Sequence, residues 1–263
     1  NVASIGGIRA AADHDVAFQN ACINHGIALH DQREMPLDKE SDSGSDTLAA
    51  ATAIEQTARK SKPAPSVAVV ILSHNQPEDT ALLYSDLSAQ LTENAQLYVV
   101  ECGTNKELVS KETTHWLDDA FLRKYGMHPM ARINAGLEVA SREASHDYVW
   151  LILGGTSIRS QNTLGRMLEV MNESPQIGIL QPNPLTWTRY TSPANEVTLY
   201  PRLDFCCWLV RHEVLDALGS DFCDSQSYAG SWAEFDISAR CYRAGWGMAV
   251  PGSVSFSENI GVS

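Results

Sequence analysis

Between residues 66 and 256 the apolar positions fall into two alternating rhythms, short β-branched runs and longer segments with helical spacing. Val67–Leu72 is an unbroken apolar run, the pattern of a strand buried on both faces. Ser73-His74-Asn75-Gln76 breaks it as a turn. Pro77 then stands where a first helical residue belongs, and Glu78 and Asp79 suit a helix N-terminus. Leu83, Leu87 and Leu91 repeat at helical spacing, and Gln96–Glu101 reads as a second strand. The opening is therefore a βαβ unit.

The alternation continues along the chain. Residues 105–124 are predicted to be helical, and Asn134–Ser141 a short helix. Asp147–Leu153 is a predicted strand that ends at Gly154-Gly155. Leu164, Met167, Leu168 and Met171 mark an amphipathic helix stopped by Ser174-Pro175. Ile177–Gln181 is a strand, and Leu203–Val210 a strand entering a helix that Gly219 ends. Residues 233–244 form a helix capped by Gly245, and Trp246–Val250 a last strand ended by Pro251. Strands alternating with helices predict an α/β, Rossmann-like fold: a mostly parallel sheet with helices on both faces. Ligands of such folds sit at the carboxyl ends of the strands.

Residues 1–65 are patterned differently. Val16–Leu29 is a loose helical candidate, and Thr47–Lys60 is Ala-rich and helix-prone. Between them, residues 31–46 hold Asp, Glu, Ser and Gly with few apolar side chains, which is linker composition. The predicted division is thus an N-terminal helical extension and linker, 1–65, and one α/β domain, 66–263.

Charge narrows the partners. The chain of 263 residues carries a formal net charge of −13. Nucleic-acid binders draw affinity from Lys and Arg on phosphates, so no nucleic-acid partner is expected, and an anionic membrane surface is disfavoured. No apolar run is long enough to span a bilayer, and no basic-then-apolar leader is visible. The six cysteines include no CxxC pair and several lie in apolar stretches, which reads as buried free thiols and a cytoplasmic setting. The eight histidines show no metal-ligand spacing. No Walker loop, GxGxxG, HExxH or GxSxG occurs.

Five local wordings, in order, carry a resemblance. They are Val67–Pro77, Tyr98-Val99-Val100-Glu101-Cys102-Gly103-Thr104, Asn134-Ala135-Gly136, Cys206–Val214, and Glu234-Phe235-Asp236 with Arg240 and Ala244-Gly245-Trp246. Together they resemble the family 2 glycosyltransferases of the GT-A fold, nearest to their rhamnosyltransferase-like members. The resemblance implies inverting transfer of a sugar from a nucleotide-sugar donor to a glycan or lipid-linked acceptor. It covers roughly three quarters of the chain and leaves out residues 1–65.

This sequence departs from that family in three places. The strand that should end in Asp-Asp or Asp-x-Asp, holding Mn²⁺ or Mg²⁺, leads into Gly154-Gly155-Thr156 without a carboxylate. The family's late His would fall near Phe256 or Ser257, and no His follows His212. Ala233 stands at the first acid of the Glu-Asp pair, and Glu234 takes the Asp place. No metal ligand is therefore assigned and no cofactor expected; Arg159 is a candidate for meeting diphosphate charge, or an ordinary exposed arginine.

The resemblance makes Glu234 the catalytic base; its plain alternative is a solvated helix-start acid. For the donor nucleotide it implies Ser73, Asn75, Glu101, Gly154, Gly155 and Thr156; Glu101 reads equally as a strand-end acid in solvent. Trp232 and Asp236 are the expected acceptor-binding residues, while Asp236 with Arg240 also reads as a helical i, i+4 ion pair. Two further hypotheses stand beside transfer: a non-catalytic binding or scaffolding module serving other domains of the same protein or complex, and an unrelated nucleotide-binding α/β protein. The last would lack a pocket framed by Asn75, Glu101 and Glu234.

Overall fold

The apolar run of the first predicted strand becomes the centre of the sheet in the computed structural model of the protein: every residue of Val67–Ser73 is buried. The structure describes residues 6–10, 64–103, 105–117, 131–186, 189–219, 222–223 and 232–258, with 6–10 and 232 as backbone. The strands are β1 (Gly6–Ala10), β2 (Val67–Ser73), β3 (Ala95–Glu101), β4 (His115–Trp116), β5 (Tyr148–Leu153), β6 (Thr156–Ile158), β7 (Ile177–Leu180), β8 (Asn183–Pro184), β9 (Glu196–Tyr200), β10 (Cys207–Arg211), β11 (Gly247–Pro251) and β12 (Ser255–Glu258). The helices are α1 (Pro77–Ser88), α2 (Ala131–Glu143), α3 (Thr163–Glu173), α4 (His212–Leu218) and α5 (Trp232–Arg243).

Among the described residues, nine strands form one sheet in the order β1-β9-β11-β7-β10-β5-β2-β3-β4, and β6-β12-β8 form a small second sheet. The block β5-β2-β3-β4 is parallel throughout. Strand β10 runs antiparallel between β5 and β7, while β11 is parallel to β7 and antiparallel to β9. The expected mostly parallel sheet with helices on both faces is present. Alternation along β2 sends Ala68, Val70 and Leu72 into one core with Ile133 and Val139 of α2, Val214 of α4 and Ile237 of α5. Val67, Val69 and Ile71 enter the other core with Leu83 and Leu87 of α1 and Met167 and Met171 of α3. Each such fully buried leucine contributes roughly 2 kcal/mol.

That division of helices positions the site. The chain leaves β2 through α1 on one face to reach β3, then returns through α2 on the other face to reach β5. The crossovers part at the end of β2, and the space beyond the carboxyl ends of β2, β3 and β5 is the topological switch point.

Several elements follow the sequence pattern closely. Pro77 opens α1, and left-handed glycines end two helices, Gly219 at φ 81° and Gly245 at φ 86°. One expectation is overturned in its described part: residues 105–117 are not a continuous helix. Asn105 Oδ1 accepts the Glu107 amide and closes a single 3-10 turn, Lys106–Leu108. Thr114 Oγ1 then accepts from the Val99 amide at 3.0 Å and donates to the Val99 carbonyl at 3.1 Å, steering the chain into edge strand β4. Residues 118–124 of that prediction, Val16–Leu29, the linker 31–46 and Thr47–Lys60 lie outside the described residues. The strand predicted over Leu203–Val210 is shorter, Cys207–Arg211. Strands β1, β6, β8, β9 and β12 were not foreseen; β1 extends the sheet edge from within the segment assigned to the N-terminal extension.

Candidate functional site

At the carboxyl ends of β2 and β3, Glu101 is the hub. It is 0% exposed. Its Oε2 accepts the Ser73 hydroxyl at 2.6 Å, and its Oε1 accepts the amides of Asn75 at 3.1 Å and Gly103 at 2.6 Å. Thr80 of α1 donates in turn to Ser73 Oγ at 2.9 Å. The carboxylate is thus caged by protein donors and holds together the two loops that follow β2 and β3. It is neither the solvated strand-end acid nor a group free to meet a ligand base. Asn75 occupies the left-handed region at φ 55°, and its Oδ1 is buried without a hydrogen-bond partner. Gly103 presses on it: a Cβ there would lie 2.1 Å from Asn75 Oδ1 and 2.6 Å from Glu101 Oε1, so any larger residue displaces both side chains.

The same corner holds a cation that the sequence reading passed over. Arg132, one residue into α2, acts electrostatically on Cys102, Glu101 and His74. Burial lowers its pKa, while Cys102 and Glu101 raise it. Among the described residues its guanidinium makes no ion pair within 4.0 Å. Burial and then Arg132 hold the His74 imidazole below its ordinary value, against the pull of Glu101. The available signal was a lone Arg two residues before Asn134-Ala135-Gly136, which carries no weight until α2 is docked.

On the other side of the switch point, Glu234 sits in the first turn of α5 and is 7% exposed. Its Oε1 accepts the Phe205 amide at 2.5 Å. The next residue, Cys206, accepts the Leu153 amide at 2.9 Å, so Glu234 stands beside the end of β5. Burial pushes its carboxyl up to about 7, against the Phe205 hydrogen bond; Asp204 and Glu258 push the same way and Arg202 opposes them. Arg202 is buried, 3.3 Å from Asp204, and its guanidinium lies 4.0 Å from the Phe235 ring centroid and donates to Tyr190 Oη at 2.8 Å. It fixes α5 from the position next to Glu234. The solvated-acid alternative for Glu234 therefore does not describe this side chain.

Gly154 and Gly155 form the turn between β5 and β6, and Thr156 opens β6. Gly154 donates to the Leu72 carbonyl at 3.0 Å, which ties this turn to the end of β2. Thr156 is buried with its hydroxyl unpartnered, and it pairs in register with Glu258 of β12. The divalent ion of the resembling family does not fit these groups. The turn offers no carboxylate, Glu234 already has one oxygen bonded to Phe205, and no group of three or more His, Cys, Asp or Glu side chains among the described residues is arranged to hold a metal.

The remaining assigned residues lie apart. Asp236 Oδ2 is taken by Arg240 at 2.8 Å, and Arg240 also donates to the carbonyls of Leu218 and Phe222. This pair pins α5 to the end of α4, matching the ion-pair alternative. Trp232 opens α5, and its side chain lies outside the described residues. Arg159 is exposed and bonded to Ser257 Oγ at 2.8 Å across the small sheet. Phe256, at the expected place of a late His, is fully buried in the core. Cys102, Cys206, Cys207 and Cys241 are free and buried; burial raises Cys102 and Cys207 to about 12. No helix among the described residues is long and apolar enough to cross a membrane.

No protein-family model matches the chain, and no curated protein matches it in sequence. Its shape does have solved counterparts. It is similar to GalNAc-T7 with UDP, GalNAc and Mn²⁺, at 11% identity and TM-score 0.57, over 74% of this chain and 44% of that one. It is similar to TarS 1–349 of S. aureus, at 13% identity and TM-score 0.53, over 73% and 60%. It is also similar to the mannosyltransferase PcManGT of Pyrobaculum calidifontis in complex with GDP-Man and Mn²⁺, at 15% identity and TM-score 0.50, over 82% and 66%. The match spans less than two thirds of each of these neighbours. With the sheet order and the helices on both faces, these likenesses establish that the chain has the GT-A glycosyltransferase fold.

Proposed function

We propose that this domain binds a nucleotide sugar and transfers the sugar, with inversion, to a hydroxyl of a glycan or lipid-linked acceptor, using no divalent metal at the Gly154–Thr156 turn. The observation that carries the proposal is Glu234, a buried carboxyl beside the end of β5 whose pKa is raised by burial to about 7. A general base works best with a pKa near the operating pH. The fold supports the donor class, as do UDP, GalNAc and GDP-Man in the neighbouring structures.

In this mechanism the acceptor oxygen attacks the anomeric carbon from the face opposite the diphosphate. Its proton passes to Glu234 Oε2, the oxygen not held by Phe205. The bond from the anomeric carbon to the diphosphate oxygen breaks, and its electron pair leaves on the diphosphate. Arg132 meets that charge in place of a metal. Ser73, Asn75, Gly154, Gly155 and Thr156 frame the donor, and Glu101 acts through the loops it braces. For the acceptor, Trp232 at the opening of α5 is the proposed contact, while Asp236 serves the ion pair with Arg240. The buried free thiols support a reducing, cytoplasmic setting.

Calorimetric titration with UDP, GDP, dTDP and their sugars, with and without Mn²⁺ or Mg²⁺, tests this. The expected result is binding of one donor regardless of metal, with Glu234→Gln retaining binding and losing transfer. Binding that requires metal overturns the metal-free mechanism. The absence of a carboxylate at Gly154-Gly155-Thr156 favours a second reading, a binding or scaffolding module. It is identified by donor binding without transfer to any acceptor in wild type, or by no nucleotide binding.

A further inference from the structure

Among the described residues Trp116 is one of the few large apolar side chains left open, at 42% exposure, on the two-residue edge strand β4. An exposed indole on a sheet edge is ordinarily loose, but this one is anchored. Its Nε1 donates to the Gly103 carbonyl at 2.8 Å. The Gly103 amide is bound in turn to Glu101, which also holds the Asn75 amide. Trp116 pairs in register with Glu101. The ring is therefore rigidly coupled to both loops of the switch point. Lys106 Nζ lies over the ring, 5.1 Å from its centroid, a cation–π contact on that face.

We infer that Trp116 is the stacking platform for the donor's nucleobase. This deepens the nucleotide-sugar reading and rests on it. Position chooses the base over the sugar. In the order β10-β5-β2-β3-β4, Trp116 is on the outermost strand and Glu234 lies beside the junction of β10 and β5. At roughly 4.8 Å per strand, β4 and β10 are roughly 19 Å apart across the strand ends. A donor whose anomeric carbon reaches Glu234 and whose diphosphate lies near Arg132 extends its base toward Trp116. Stacking on an indole face tolerates any base, so Trp116 supplies affinity, while the choice among bases falls to the polar groups of the Asn75 and Gly103 loops.

The test is calorimetry with UDP, GDP and dTDP on the full chain, for wild type, Trp116→Ala and Trp116→Phe, with tryptophan emission followed in parallel. The diphosphate that binds wild type is expected to bind Trp116→Ala about 5- to 150-fold more weakly, the usual range for loss of one base stack. Trp116→Phe, which keeps an aromatic face, recovers most of the affinity but loses the nucleotide-induced quenching. Equal affinity in Trp116→Ala, with quenching intact in Trp116→Phe, overturns the inference while donor binding stands. So does a loss seen only with sugar-bearing donors, which assigns the ring to the sugar. Wild type that binds no diphosphate overturns the donor reading itself, before any variant is made.

Discussion

Replacing Glu234 by Gln is expected to make the folded protein more stable at alkaline pH. The carboxyl is 7% exposed, and burial raises its pKa from 4.5 to about 7. A carboxyl whose folded pKa is raised binds more protons in the native state than in the unfolded state between those values. Stability is therefore complete below about pH 4.5 and falls as pH rises through about 7. Raising the carboxyl from 4.5 to about 7 corresponds to about 3 kcal/mol lost by pH 8.5. Gln keeps a side-chain carbonyl for the Phe205 amide and carries no charge, so the variant escapes the loss. Urea denaturation from pH 4.5 to 8.5 should show the variant and wild type converging at the acid end. They should separate by about 3 kcal/mol at the alkaline end, or about 6–12 °C in Tm for a domain of this size. A difference that stays constant across that range refutes the buried carboxyl. A stabilising substitution that abolishes transfer would mark Glu234 as a residue kept for function at the expense of stability.

Three further outcomes follow from the geometry. Glu101→Ala leaves the buried Ser73 hydroxyl and the Asn75 and Gly103 amides without their acceptor, and should cost about 3 kcal/mol or more in urea denaturation. Gly103→Ala must displace Asn75 or Glu101, and should cost about 1–3 kcal/mol and weaken donor binding in calorimetry. His146 is 6% exposed, with neither ring nitrogen hydrogen-bonded, and burial followed by His212 lowers its pKa. The contribution of His146 to stability should fall as pH drops below about 6.5, opposing that of Glu234, so His146→Phe, which keeps the edge contact to Tyr98, should gain stability relative to wild type on acidification in melting curves.

The elements legible in the sequence were those whose signal is local. Two-sided burial of Val67–Leu72, Pro77 at a helix start, and glycines at 219 and 245 each act within a few residues, and each appears as read. Residues 105–117 depart from the predicted helix because the Asn105 turn and the Thr114 bonds to Val99 compete for the same backbone. Strand β9, Glu196–Tyr200, does alternate polar and apolar residues, but it is short and framed by turn residues, and its pairing partners are β11 and β1. The small sheet β6-β12-β8 joins segments far apart in sequence, which no local pattern reports.

By itself the sequence determined the alternation of strands and helices, the missing carboxylates at Gly154-Gly155-Thr156, and the presence of an acid at the start of α5. The tertiary structure alone decided what those acids do. Glu101 and Glu234 are the same side chain read from sequence, each near the end of an element. Folding brings Ser73, Asn75 and Gly103 around the first and satisfies its charge completely. It brings Phe205 to the second and leaves its charge poorly compensated, so its pKa rises. Both carboxyls are desolvated; the difference is the number of donors that folding delivers, most of them 26 to 29 residues away along the chain.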